Sequence, residues 1–139
     1  MTYEAVIADR NYSYYPIDYT VADGTARNKG QLLALTSSRT AATPSNNTSY
    51  KCGIAAREKV ASDGRPNLAV YTEGRFFIYV SGAVVAGQQL CFASDIATYP
   101  NHLQVCNSGA ITASGGQVFA IAETTQAGGV LGAVLCRLV

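Results

Sequence analysis

Between residues 67 and 94 the chain reads N-L-A-V-Y-T-E-G-R-F-F-I-Y-V-S-G-A-V-V-A-G-Q-Q-L-C-F-A-S: three short β-prone runs cut apart by glycine. Residues 68–71 and 76–80 are rich in β-branched and aromatic side chains, which suit a pleated, half-buried surface. Thr72-Glu73-Gly74-Arg75 between them reads as a tight turn, and Ser81-Gly82 and Ala86-Gly87 mark the next breaks. The pattern predicts a hairpin followed by a third strand. No residue in the run reads as a catalytic nucleophile, a metal-ligand cluster or a phosphate cradle, so the centre of the chain is expected to be scaffold. Its expected role is binding or structural.

Composition agrees. With 139 residues, 48% hydrophobic and only 14% charged, 13 glycines and 4 prolines, the chain has the low-charge, turn-rich profile of one all-β domain with a proper core. Ten basic and nine acidic residues are scattered singly, giving a net charge of +1 and no electrostatic footprint for nucleic acid or an anionic membrane. No apolar run approaches the roughly 20 residues that span a bilayer, and Glu4 and Asp9 break any signal-peptide pattern at the start. The expectation is a soluble protein made in the cytoplasm. Cys52, Cys91, Cys106 and Cys136 are widely spaced, with no C-x-x-C pair and only His102 as a nitrogen partner, so no metal site is expected. Three of the four, Cys91, Cys106 and Cys136, have apolar neighbours that suit small buried hydrophobes better than disulfide staples.

Five of the nine tyrosines, Tyr3, Tyr12, Tyr14, Tyr15 and Tyr19, fall in the first nineteen residues around Pro16. Such a stretch is either an edge strand on its own domain or an extended arm that docks on a partner, because tyrosine brings large amphipathic area with few rotatable bonds. The division adopted is an extended tyrosine-rich arm over residues 1–19 and a single β domain over 20–139. Strands are expected over 17–21, 31–35, 50–57, 104–106, 118–123 and 130–139. Residues 37–49, with Pro44, Asn46 and Asn47, read as a surface loop, 95–103 as a loop holding Tyr99-Pro100-Asn101-His102, and 107–116 as a glycine and serine turn region.

The two halves echo each other. Gly30-Gln31-Leu32-Leu33-Ala34-Leu35-Thr36-Ser37 aligns with Gly87-Gln88-Gln89-Leu90-Cys91-Phe92-Ala93-Ser94, Gly53-Ile54-Ala55 with Ala120-Ile121-Ala122, and Leu68-Ala69-Val70 with Val134-Leu135-Cys136. Two such units would pack face to face as a sandwich or close into a barrel, each burying an apolar face it cannot bury alone.

The order G-Q-L-L, G-I-A-A, A-V-Y-T-E-G, V-S-G-A-V-V-A-G-Q-Q-L, V-F-A-I-A-E and V-L-C-R-L over residues 21–139 resembles the small capsid decoration, or cement, proteins of tailed double-stranded-DNA phages. The loop at 37–49, the four cysteines and the tyrosine-rich start depart from that pattern. The resemblance implies a compact β-sandwich or β-barrel, β-tulip-like, that binds the outer surface of a mature viral shell as a homotrimer and clamps neighbouring major-capsid subunits. It implies a virion location, no catalysis, no cofactor, and no nucleic-acid, membrane or small-molecule partner. Tyr3, Tyr12, Tyr14, Tyr15, Pro16 and Tyr19 would then touch the capsid or a neighbouring subunit.

Two other classes fit a non-enzymatic β module: a host-facing or glycan-binding domain of a virion fibre, with tyrosines clustered in a groove, and a tail or head-completion protein forming rings of other symmetry. An enzyme fits poorly, since His102 stands alone and Glu58, Glu73, Asp95 and Glu123 lie far apart in sequence.

Overall fold

Short runs of Val, Ile, Phe, Tyr and Leu between turn residues become strands here because stiff side chains lose little freedom on a pleated surface. The structure, a computed structural model, describes residues 3–8, 14–47, 49–96, 101–106, 118–129 and 131–139. The described chain is all-β, with no helix. Its strands are β1 (Val6–Ile7), β2 (Ile17–Thr20), β3 (Leu32–Ser37), β4 (Thr40–Ala42), β5 (Tyr50–Ala55), β6 (Asn67–Tyr71), β7 (Arg75–Ser81), β8 (Gln89–Phe92), β9 (Leu103–Val105), β10 (Ala120–Ala122) and β11 (Leu131–Leu138).

These strands make two rings. β2, β4, β3, β5 and β6 close into a five-stranded barrel, with β2 and β4 parallel and every other pairing antiparallel. β7, β11, β10, β8 and β9 repeat that order, and the parallel contact of Val80 with Leu103 returns β9 to β7. The repeat holds residue by residue. Leu33 faces Gly53 as Leu90 faces Ala120, Leu35 faces Ala41 as Phe92 faces Leu103, and Ala55 faces Val70 as Ala122 faces Cys136. Outside the strands, the bridge of Arg27 with Lys59 matches that of Val84 with Gln126. Gly30 and Gly87, at φ +85° and +96°, open β3 and β8 identically, their N–H groups donating to the carbonyls of Ala55 at 2.9 Å and Ala122 at 2.7 Å. Both need the left-handed conformation that glycine adopts without a Cβ clash. The echo read in the sequence is a duplicated barrel.

The expected hairpin at 72–75 does not form. β6 has β2 on one side and β5 on the other, so a closed ring leaves it no free edge to offer β7. Thr72–Gly74 instead carries the chain from one barrel to the next. The third strand of the central run, β8, likewise pairs with β9 and β10 and not with β7. The expected loop at 37–49 contains β4, whose Ala41 is buried. Three small residues, Thr40, Ala41 and Ala42, carry too little apolar character to signal a strand. Residues 107–116, Tyr99, Pro100 and Val130 lie outside the described residues.

Leu33, Ala41, Cys52, Ala55, Leu68, Val70 and Val21 fill the first barrel. The second cluster runs from the second barrel's interior, around Ile78, Leu90, Phe92, Phe119 and Val134, to Leu32, Ala34 and Ile54 on the outer face of the first, so the barrels share a core. Asn101 reinforces that seam. Its Oδ1 accepts from the Leu32 N–H at 2.5 Å, and its Nδ2 donates to the carbonyls of Tyr3 at 2.5 Å and Gly30 at 3.1 Å.

Candidate assembly surface

Alternation along β7 sends Phe76, Ile78 and Val80 inward and Phe77 and Tyr79 outward. Register then assembles their outer neighbours: Phe77 lies between Val6 of β1 and Leu135 of β11, Tyr79 opposite Ala133, and Ser81 opposite Leu131. The Tyr3 ring packs on Tyr79 with centroids 4.6 Å apart. The outcome is an apolar band across β1, β7 and β11, in which Val6 is 57% exposed, Phe77 43% and Leu131 37%. One end of the band is charged: Arg75 faces Arg137, and the Arg75 Nε donates to Glu123 Oε1 at 2.6 Å.

The duplication supplies an internal control for this band. Asp18 faces Ala69 in the first barrel as Phe77 faces Leu135 in the second, and Thr20 faces Asn67 as Tyr79 faces Ala133. At these outward positions Asp18, Thr20 and Asn67 are thus polar where Phe77, Tyr79 and Ala133 are apolar, and Ala69 is small where Leu135 is large. Their polarity is not required by the fold, since both rings close with the same register. A hollow of about 340 Å³ adjoins the band where β1 crosses the seam, lined by Ala5, Val6, Ile7, Ile54, Tyr71 and Phe76, with Glu4 and Lys29 also in its wall.

The residues expected to form a docking arm are divided by the structure. Tyr3 is half-buried on Tyr79, and Tyr14 is half-buried with its ring 6.2 Å from that of Phe76. Tyr19 belongs to β2 and packs against the first barrel's core, with the Arg39 guanidinium 5.8 Å above its ring. Tyr15, 81% exposed, and Pro16 face solvent, and Tyr12 lies outside the described residues. An arm extended beyond the domain over residues 1–19 is therefore corrected in its described parts: Ala5 is in the shared core, β1 pairs with β7, and the boundary at 19 falls inside β2. The physical reason is that β1 covers part of the flank of β7 that β9 leaves open, since β9 reaches β7 only at Val80. Sequence reasoning missed the band itself. Its signal was the alternation Phe77, Tyr79 beside Leu131, Leu135, legible only once β7 and β11 are known to be neighbours.

Titratable groups do not converge on this surface. His102 is buried, its Nε2 2.9 Å from Asp95 Oδ1 and its Nδ1 without a hydrogen-bond partner. Lys59, also buried, caps the first barrel through Asp23 Oδ1 at 2.8 Å and Asp63 Oδ1 at 2.6 Å. Burial alone would lower the Lys59 pKa, but hydrogen bonds to both carboxylates hold it above the usual lysine value, and the Lys59 ammonium together with the Arg65 N–H holds Asp63 down at about 2. Among the described residues, no three His, Cys, Asp or Glu side chains gather as metal ligands.

No known family profile matches this chain, and no curated protein does.

Proposed function

We propose that the chain is a capsid decoration protein: it associates as a homotrimer, binds the outer surface of a mature viral shell and stabilises it by clamping neighbouring major-capsid subunits. The observation that carries the reading is the apolar band of Val6, Phe77, Tyr79, Leu131 and Leu135, set against the polar Asp18, Thr20 and Asn67 at the matching places of the first barrel. An apolar patch with charge at one end, on a face whose duplicate is more polar, suits a protein–protein contact better than a solvated face. In this reading the band is the contact between copies. Exposed Tyr15 and Pro16 reach the shell. The order of glycine-punctuated segments over residues 21–139, similar to that of phage cement proteins, supports the choice of partner. Binding to the expanded lattice and not the immature one would stabilise the mature state by mass action, and three linked copies would add avidity.

The test is the mass of the purified protein in solution, alone and after mixing with expanded shells. A trimer that Phe77→Glu disperses to monomers, while Thr20→Glu on the matching face of the first barrel leaves it intact, is the expected result. Shell binding is expected to weaken little with added salt, because few charges take part. A ring of other symmetry, or no shell binding, would move the reading to a tail component or a glycan-binding module.

A further inference from the structure

Cys91 and Cys106 meet on neighbouring strands. Leu90 faces Val105 and Cys91 faces Gln104, and the Cys106 N–H donates to the Gln89 carbonyl at 2.8 Å. Gln89 and Cys106 therefore stand opposite each other, Cys91 lies two residues further along the same strand, and alternation puts both thiols on one face as diagonal neighbours. Cys91 is buried, Cys106 is half-buried, and both are unbridged. The first barrel has Ala34 where the second has Cys91, and Pro44 two residues beyond the partner of Ala34 where the second has Cys106. Neither thiol is needed to close a barrel of this register.

We propose that Cys91 and Cys106 form a reversible disulfide that ties β8 to β9 when the protein passes from a reducing to an oxidising surrounding. The pairing rests on strand register and needs no docked partner. Their closeness shows in their acidity: neighbouring Cys106 holds the Cys91 thiol below its usual value, while Cys91 and burial push the Cys106 thiol up. Cys52 lies in the first barrel's core and Cys136 in the shared core, and burial raises them to about 11 and about 12, so both stay inert. With glutathione disulfide as oxidant, Cys106, the more accessible of the two, gives up its proton and attacks one glutathione sulfur. The first glutathione leaves as its thiolate. Cys91 then attacks the Cys106 sulfur and expels the second glutathione. The two thiol protons end on the two glutathiones, and the electron pair reduces glutathione disulfide.

The experiment is a redox titration of the full chain in glutathione buffers, followed by denaturation, alkylation and mass analysis. Residues 76–137 form one tryptic peptide that also contains Cys136, so a chymotrypsin-type protease, cutting after Phe92 and Leu103, is needed to separate the two thiols. The expected product has lost two hydrogens, links the Cys91 and Cys106 peptides, and leaves Cys52 and Cys136 alkylated. Closing a loop of about 15 residues should raise Tm by roughly 5–10 °C, and neither Cys91→Ser nor Cys106→Ser should show that gain. Four free thiols in the most oxidising buffer, a stable glutathione adduct on Cys106, or a bridge to another cysteine would overturn the pairing. A bridge without a gain in Tm would overturn the tie between β8 and β9.

Discussion

The two barrels share strand order, register and turn hydrogen bonds, yet differ in three places: the outer face of the β2–β6 and β7–β11 pairs, the residue that caps the ring, and the tightness of one strand crossing. In the first barrel the cap is Lys59, whose Nζ donates to the Asp23 carbonyl at 3.2 Å; in the second it is Gln126, whose Nε2 donates to the carbonyls of Gly82 at 2.9 Å and Val80 at 2.7 Å. Each cap satisfies carbonyls at the end of the first strand of its ring or in the turn that follows it. One does so with a charge that must itself be neutralised, the other with a neutral amide. The backbone geometry of the duplicated unit thus fixes which carbonyls need a donor, while the choice of donor is free.

The largest effects should come from the cores. Leu33→Ala and Leu90→Ala occupy matching places, both fully buried, and each should cost about 3 kcal/mol. If the cluster that joins Leu32, Ala34 and Ile54 to the second barrel makes the halves one cooperative unit, either change lowers a single transition in calorimetry. Two transitions, each answering to one mutation, would break that unity. Gly53→Ala sharpens the contrast further. The second barrel tolerates a methyl there, as Ala120, but at Gly53 a Cβ would collide with the Tyr71 carbonyl oxygen and come within 2.8 Å of Val70 Cγ1. A loss of about 2–3 kcal/mol is expected by chemical denaturation, and a neutral result would mean that the two crossings are interchangeable.

Asn101→Ala removes the clamp at the seam and puts a Cβ residue with no compensating side chain at φ +69°. A loss of about 2 kcal/mol is expected, with Tyr3 released from the surface in hydrogen exchange. Asn101→Gly, relieved of the backbone strain, should lose less.

The smallest effect separates the caps by pH. Asp63 titrates at about 2 in the folded chain against an ordinary 3.8, so its ion pair with Lys59 contributes fully above about pH 4 and is lost as pH falls toward 2. Lys59 is shifted upward, so its contribution is present below the usual lysine value of 10.5 and disappears as pH rises through the folded one. Lys59→Gln, which copies Gln126, should flatten the acid limb of a Tm-versus-pH curve. An unchanged acid limb would show that the pair adds nothing.

Much of this architecture was legible in the residues. Glycine punctuation and β-branched runs located β2, β3, β5, β6, β7, β8, β9, β10 and β11, and the alignment of Gly30–Ser37 with Gly87–Ser94 marked the duplication. β4 was hidden because Thr40, Ala41 and Ala42 owe their strand to the neighbours β2 and β3, not to their own propensity. The tyrosine-rich start carried a true signal of contact surface, but whether Tyr3 meets its own Tyr79 or another molecule depends on chain placement that composition does not encode.

Local chemistry, then, set where this chain bends and where it extends, because turn preference and side-chain stiffness act within a few residues. Partnership between strands was settled by closure. Each half closes its strands into a ring, with β1 covering the flank of β7 that β9 leaves open, so β6 and β7, adjacent in sequence and alike in composition, ended in different rings. Closure also chose which face of β7 looks outward, and with it the apolar band and the meeting of Cys91 with Cys106. Those juxtapositions join residues far apart in the chain, where only the satisfaction of backbone hydrogen bonds and the burial of a common core can act.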